Sequence, residues 1–312
     1  AQLVSQVSDA QNNTTGGSNA GDSFTGTDAN QNTLFGYDAG TAITSGDYNS
    51  AFGALALDAN TTGVKNCAFG LGALTDNTTG DNNIAIGENC LADNTTADNN
   101  VAIGMDAARF NTTGSNIVAV GTSALKDNTT GADNVALGNS ALAANTTGYR
   151  NIAVGVSTGD AITTGYQNTY IGYVAGSTQT TGNNNTGIGY GALYSNTTAA
   201  NNTAVGAQAL EANTTGYSNV ALGVTTLDAN TTGTQNTAIG SEALSTNTTA
   251  HDNTACGYQG LYLNTTGTRN VAIGKESLRS NTTANDNTAV GTNALKLNTT
   301  GTENVAVGTY AR

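Results

Sequence analysis

Short apolar triplets alternate along this chain with polar stretches bounded by glycine, and they do so on a fixed period. "NTTGDNNIAIGENCLAD" over residues 77–93 is followed at once by "NTTADNNVAIGMDAARF" over 94–110. Glycine recurs every 17 residues without a gap from Gly36 to Gly308, which is sixteen intervals and seventeen units. Four residues before each glycine stands Asn, from Asn32 to Asn304, with Ile117 the single exception. Numbered from that Asn, the unit reads N-(V/T/I)-A-(I/V/F)-G-x-x-A-L-x-x-N-T-T-G-x-x.

A unit of this length is shorter than any helical repeat, and no apolar stripe of helical period runs through it. Positions 2 to 4 are short and β-prone, as in Val101-Ala102-Ile103 and Thr203-Ala204-Val205. Positions 8 and 9 add a second apolar pair, as in Ala73-Leu74, and Asn and Gly between them supply turn chemistry. Two short strands and two turns per unit predict one coil of an all-β, parallel β-solenoid, with about seventeen coils over residues 32–312. A single coil cannot bury its own apolar side chains, so it stacks on its neighbour at one strand spacing. Residues 1–31 depart from the 17-residue spacing and form a separate N-terminal segment, a candidate cap or assembly joint.

Stacking places equivalent residues above one another. Asn66, Asn83 and Asn100 at position 1, and Asn77 and Asn94 at position 12, are therefore expected to pass hydrogen bonds along the axis as side-chain ladders. Gly70, Gly87 and Gly104 belong to position 5, where nothing but glycine occurs; a left-handed backbone or a neighbour too close for a Cβ predicts that. Position 15 accepts Ala97, Ala199, Ala250 and Ala284, so it needs no positive φ. Where position 9 loses Leu to become Gly40, Gly159 or Gly176, position 12 becomes Ile43, Ile162 or Gln179. This compensation implies that both positions border one interior space. Position 3 is Ala in 14 of 17 units, the others being Leu34, Tyr170 and Gly187, while position 4 is apolar throughout and position 2 is chiefly Val, Ile or Thr. The strand is thus apolar on both faces, one toward the coil interior and the other toward a further chain, which predicts an oligomer.

Composition narrows the function classes. Gly is 40 of 312 residues, Pro and Trp are absent, and charged residues make up 10%, far from the ~25% of ordinary proteins. A net charge of −13 opposes nucleic acid and anionic membrane, and no apolar run is long enough to span a bilayer. The start at Ala1 and the Thr-rich composition suggest a secreted, extracellular or cell-surface chain freed of its signal peptide, with a trimmed chain as the alternative. Cys67, Cys90 and Cys256 fit neither a disulfide framework nor a metal motif; each replaces a small apolar residue of the unit, at positions 2, 8 and 4, and reads as a buried, inert thiol.

His251 is the only histidine and sits in the variable turn at position 16, so neither a metal site nor a catalytic base is assigned and no cofactor is expected. The Asn-Thr-Thr sequon at position 12 reads as glycosylation or as a structural turn with a Thr ladder. Stacked Thr could also order ice, but adjacent Thr side chains in a turn are expected to diverge. Tyr149, Tyr166 and Tyr217, which share position 16, make a weak case for glycan binding.

The stretches "NIAIG" at 83–87, "NVAIG" at 100–104 and 270–274 and "NTAIG" at 236–240 resemble the head repeats of trimeric autotransporter adhesins and related phage tail-fibre and bacterial surface proteins. The resemblance covers residues 32–312. It implies a left-handed β-roll, often trimeric, at a cell or particle surface. The adhesin heads use a unit nearer fourteen residues, and their neck, stalk and anchoring barrel are not matched here. The expected role is a non-enzymatic structural subunit of an extracellular fibre or surface adhesin. Its partners would be further copies of itself, in a head-to-tail filament or a homotrimer, and surface glycans. The alternatives are a ligand-binding solenoid or a tail-fibre shaft. In the filament, Leu3, Val4 and Val7 of the N-terminal segment would pair with an open strand edge.

Overall fold

The computed structural model of the chain describes residues 7–8, 11–24 and 28–312. It is all-β and built as a parallel β-solenoid of 17-residue coils. Two compact units, Ala1–Val156 and Ser157–Arg312, follow the same plan and are described separately.

In the first unit, β1 (Val7–Ser8) runs antiparallel to β2 (Thr14–Gly16), with Val7 opposite Thr15. The strand β2 then pairs in parallel with β3 (Thr33–Phe35), and every later strand pairs with its neighbour exactly one unit on, as Cys67 with Ile84 and Ile84 with Val101. The described residues just before Asn32, although off the 17-residue spacing, join the stack: Asn13 Oδ1 accepts the Asn32 N–H at 2.8 Å over a 19-residue interval. Of the expected joint, Leu3 and Val4 lie outside the described residues, and Val7 lies in β1 on its own chain's first coil. The second unit runs from β11 (Thr169–Ile171) to β19 (Val305–Val307) in the same register.

Each coil contains one three-residue strand, at positions 2 to 4, rather than two. Positions 8 and 9 lie in a continuous turn. The reason is the backbone: positions 7, 9 and 17 carry positive φ, as at Asn89 (52°), Leu91 (51°) and Asn99 (60°). A left-handed residue costs about 1–2 kcal/mol with a Cβ. At position 9 the Leu side chain offsets this by turning fully into the core, a burial worth roughly 1.5–3 kcal/mol, as at Leu74 and Leu91. The alternation turns successive N–H groups up and down the axis. In the coil from Asn83, Asn89 N–H donates back to Leu71 O (2.9 Å), while Leu91 N–H donates forward to Ala107 O (3.0 Å) and Asp93 N–H to Arg109 O (3.0 Å). The turns are thus hydrogen-bonded between layers as fully as the strand.

Inside, position 3 Ala faces the Ala and Leu of positions 8 and 9, all at or near zero exposure. The 9/12 compensation is visible directly. A Cβ on Gly40 would lie 2.9 Å from Ile43 Cδ1 and from Leu34 Cδ1, so Leu34 at position 3 shares in filling the space. A Cβ on Gly176 would lie 2.6 Å from the fully buried Tyr170 ring, and one on Gly187, above it at position 3, would lie 2.7 Å away. The three departures from Ala at position 3 are therefore two large residues and the glycine that makes room for the second.

Position 5 combines both requirements for glycine. Its φ spans 121–153°, and a Cβ on Gly104 would lie 2.6 Å from Gly121 O. Position 15 is also tight, with Gly114 2.4 Å from Gly131 O by the same construction, but its φ is outside the left-handed range and four coils already accept Ala. Gly104→Ala should therefore lower stability in chemical denaturation by about 2 kcal/mol or more. Gly114→Ala should cost under ~1 kcal/mol; equal losses would contradict this assignment.

Candidate functional site

Two features can act beyond the fold: the polar ladders that set the register, and the face of the strands that points outward.

The two Asn series meet on one acceptor. Ala97 O accepts Asn83 Nδ2 at 2.9 Å and Asn94 Nδ2 at 3.1 Å, and Gly80 O likewise accepts from Asn66 (2.8 Å) and Asn77 (3.0 Å). Position 12 is a side-chain ladder: Asn77 Nδ2 donates to Asn60 Oδ1 (2.7 Å), Asn94 to Asn77 (2.8 Å) and Asn111 to Asn94 (3.0 Å). Position 1 is different from the expectation of side chain to side chain alone. Its Oδ1 accepts the backbone N–H one coil on, Asn83 to Asn66 (2.9 Å) and Asn100 to Asn83 (3.0 Å), with side-chain amides adding in some coils. This is why Ile117 is tolerated: its backbone N–H still donates to Asn100 Oδ1 at 3.0 Å. Asn145 Oδ1 ends the position 12 series in the first unit without a partner.

In the second unit Gln179 substitutes for Asn. Its Oε1 accepts Asn196 Nδ2 (2.8 Å) and the Tyr170 hydroxyl, and its Nε2 donates to Gly182 O. Burial holds the Tyr170 phenol far above the usual range, so it remains a donor. Apart from the half-buried Asn298, the position 12 Asn side chains are fully buried with their Nδ2 atoms engaged, which leaves no room for a glycan on those sequons. The Thr pair diverges as expected: Thr78 Oγ1 donates to Thr95 O at 2.9 Å while Thr79 is exposed. Position 16, variable in sequence, carries an unanticipated series in which a side chain accepts the backbone N–H of the coil before, as Asp81 Oδ1 from Val64 (2.8 Å) and Asp98 Oδ1 from Asp81 (2.7 Å).

The outward face is made by positions 2 and 4. Ile84 and Ile86 are 38% and 41% exposed although flanked by coils on both sides, and Ile103, Leu137, Leu222 and Ile273 are similar. In the first unit Phe35, Phe52 and Phe69 stack along this face with ring centroids 5.5 and 4.5 Å apart. A row of apolar side chains at consecutive layers is a contiguous patch, unlike the scattered exposed residues of ordinary surfaces.

The cysteines correct the expectation of three buried thiols. Cys90 is buried, its Sγ 3.1 Å from Ala102 O, and burial pushes it up to about 12. Cys67 is half-buried and raised by burial, and Cys256 is exposed, because positions 2 and 4 look outward. His251 is exposed, with Nδ1 2.7 Å from Asp252 Oδ2. Among the described residues no group of three or more His, Cys, Asp or Glu could hold a metal ion, and no helix is long and apolar enough to cross a membrane.

Thiol labelling of the native chain at pH 8 should modify Cys256 first and Cys90 only on unfolding, read by peptide mass mapping. Equal rates at the two would place the interior of the coil elsewhere.

No known protein family matches the chain, and neither does any curated protein or solved structure.

Proposed function

We propose that this chain is a structural, non-enzymatic solenoid of an extracellular fibre or surface adhesin, in which further copies cover the apolar strand face. The observation that carries the reading is the outward row at position 4, joined in about half of the coils by Val or Ile at position 2. Position 4 is apolar in every coil, from Phe35 to Val307, although the fold itself places that side chain outside. Core packing therefore does not account for the choice. A face that stays apolar at layer after layer fits a long, matching surface, and a second or third copy of the same solenoid presents the same spacing. The acidic charge of −13 keeps the remaining surface soluble. A head-to-tail joint through Val7 would require β1 to leave β2 for another chain's strand edge.

The test is the solution mass of the chain and of an Ile86→Asp, Ile103→Asp double variant, by light scattering after size exclusion. The wild type should run as a multiple of 31.1 kDa, and the variant, with unchanged circular dichroism, should shift toward one copy. A wild type at 31.1 kDa across micromolar concentrations would overturn the proposal.

A further inference from the structure

Away from the strand face and the interior, one turn of the second unit carries glycine where the coils before and after it carry side chains. Position 7 adopts φ near +55° in every coil, and non-glycine residues accept it: Val174 (51°) and Gln208 (58°) flank Gly191 (61°). Glycine at 191 is thus not demanded by the backbone. Nor is the space filled, since a Cβ there would meet only Gln208 Cγ, at 3.9 Å. The consequence is a gap in the side-chain surface, a cleft of about 260 Å³ lined by Tyr173, Val174, Tyr190, Gly191, Tyr194 and Glu211.

The walls are aromatic and held by the coil. Gly191 N–H donates to Tyr173 O at 3.1 Å, and Tyr194 N–H donates to Gly191 O at 3.2 Å, which fixes the backbone from which Tyr190 and Tyr194 line the gap. The rings of Tyr173 and Tyr190, each 56% exposed, stack with centroids 5.9 Å apart and planes within 10°. The row stops there, because the next residue in the series is Ala207. Glu211, from that same coil, lines the cleft and accepts Gln208 Nε2 at 2.9 Å through Oε2.

We infer that this cleft is a saccharide-binding subsite, in which one pyranose ring stacks against the Tyr190–Tyr194 walls over Gly191. Tyr173 stacks on one face of Tyr190 and the row ends at Ala207, which leaves the other ring face of Tyr190 for the C–H face of a sugar, whereas a cage for a quaternary ammonium needs rings at steep angles around the cation. The Glu211 carboxylate, held in place by the Gln208 amide, supplies an acceptor for a sugar hydroxyl. The volume lies at the small end of ligand clefts and the cleft is open, so a single ring binds weakly, with a dissociation constant on the order of 1 mM. The site lies at positions 6, 7 and 10, away from the strand face, so it stands or falls independently of self-association.

Saturation-transfer NMR with the methyl glycosides of glucose, galactose, mannose and N-acetylglucosamine, each at about 10 mM, tests the assignment. At least one should receive saturation on its ring protons from the wild type and from the strand-face double variant. Gly191→Leu fills the gap without straining the coil, because Leu55 occupies position 7 with the same φ of 61°. That variant, and Tyr190→Ala, should reduce the signal at least ~5-fold. Three results would each overturn the proposal: no signal from any of the four sugars, an unchanged signal in Gly191→Leu, or saturation of tetramethylammonium in place of the sugars.

Discussion

The hydrogen bond between equivalent residues one repeat apart is the constraint on which the remaining structure depends. Each coil has too little apolar interior to stand alone, and three of its residues sit in a left-handed conformation that costs about 1–2 kcal/mol apiece. What offsets that cost is that the same conformations aim the turn N–H groups along the axis, at carbonyls of the adjacent coils. The carbonyl of position 15, gripped by two buried Asn amides, fixes how the turn closes on the strand. A buried amide without a partner costs about 1–3 kcal/mol, so a slip of one residue would be penalised at every layer at once. Register is therefore specified by polar groups, and the small Ala and Leu interior follows it.

Much of this was legible in the residues. The unbroken glycine at position 5 announced a backbone no other residue could follow, and its φ and close carbonyl contact supply both causes. The exchange of Gly40 with Ile43 and of Gly176 with Gln179 located the interior around the bend. The structure has no second strand because a short apolar pair between turn residues resembles a strand only in its pattern, whereas Ala and Leu have little strand preference and the left-handed Leu is settled by burial. The polar series at position 16 was hidden by its variety: Asp81, Asp98, Ser115 and Asn285 accept in the same way but share no single letter. Cys256 was misplaced because an apolar position in a strand suggests burial, and here the apolar face looks outward. The tyrosine cleft could not be read from sequence, since its rings come from positions 6 and 10 of successive coils, and only the turn geometry brings them to one gap.

The fold separates two surfaces by the direction of the side chains. Position 4 of the strand gives an apolar row in each unit whose spacing is that of the layers themselves, suited to another object with the same period. The turns carry individual substitutions that do not propagate, such as Gly191, and so can hold local chemistry without disturbing the stack. A repeat can change its turn residues one coil at a time, whereas a change at position 5 or 12 is felt by the coils above and below.

In-register stacking is tested most directly by a distance between exposed residues of known layer separation. Thr62 and Thr130 share position 14, four coils apart in the first unit. Nitroxide labels at the two sites, with a double electron–electron resonance measurement, should give a narrow distribution near 20 Å, four layers at ~4.8 Å each. A broad distribution, or one centred beyond about 35 Å, would contradict coils stacked one strand spacing apart.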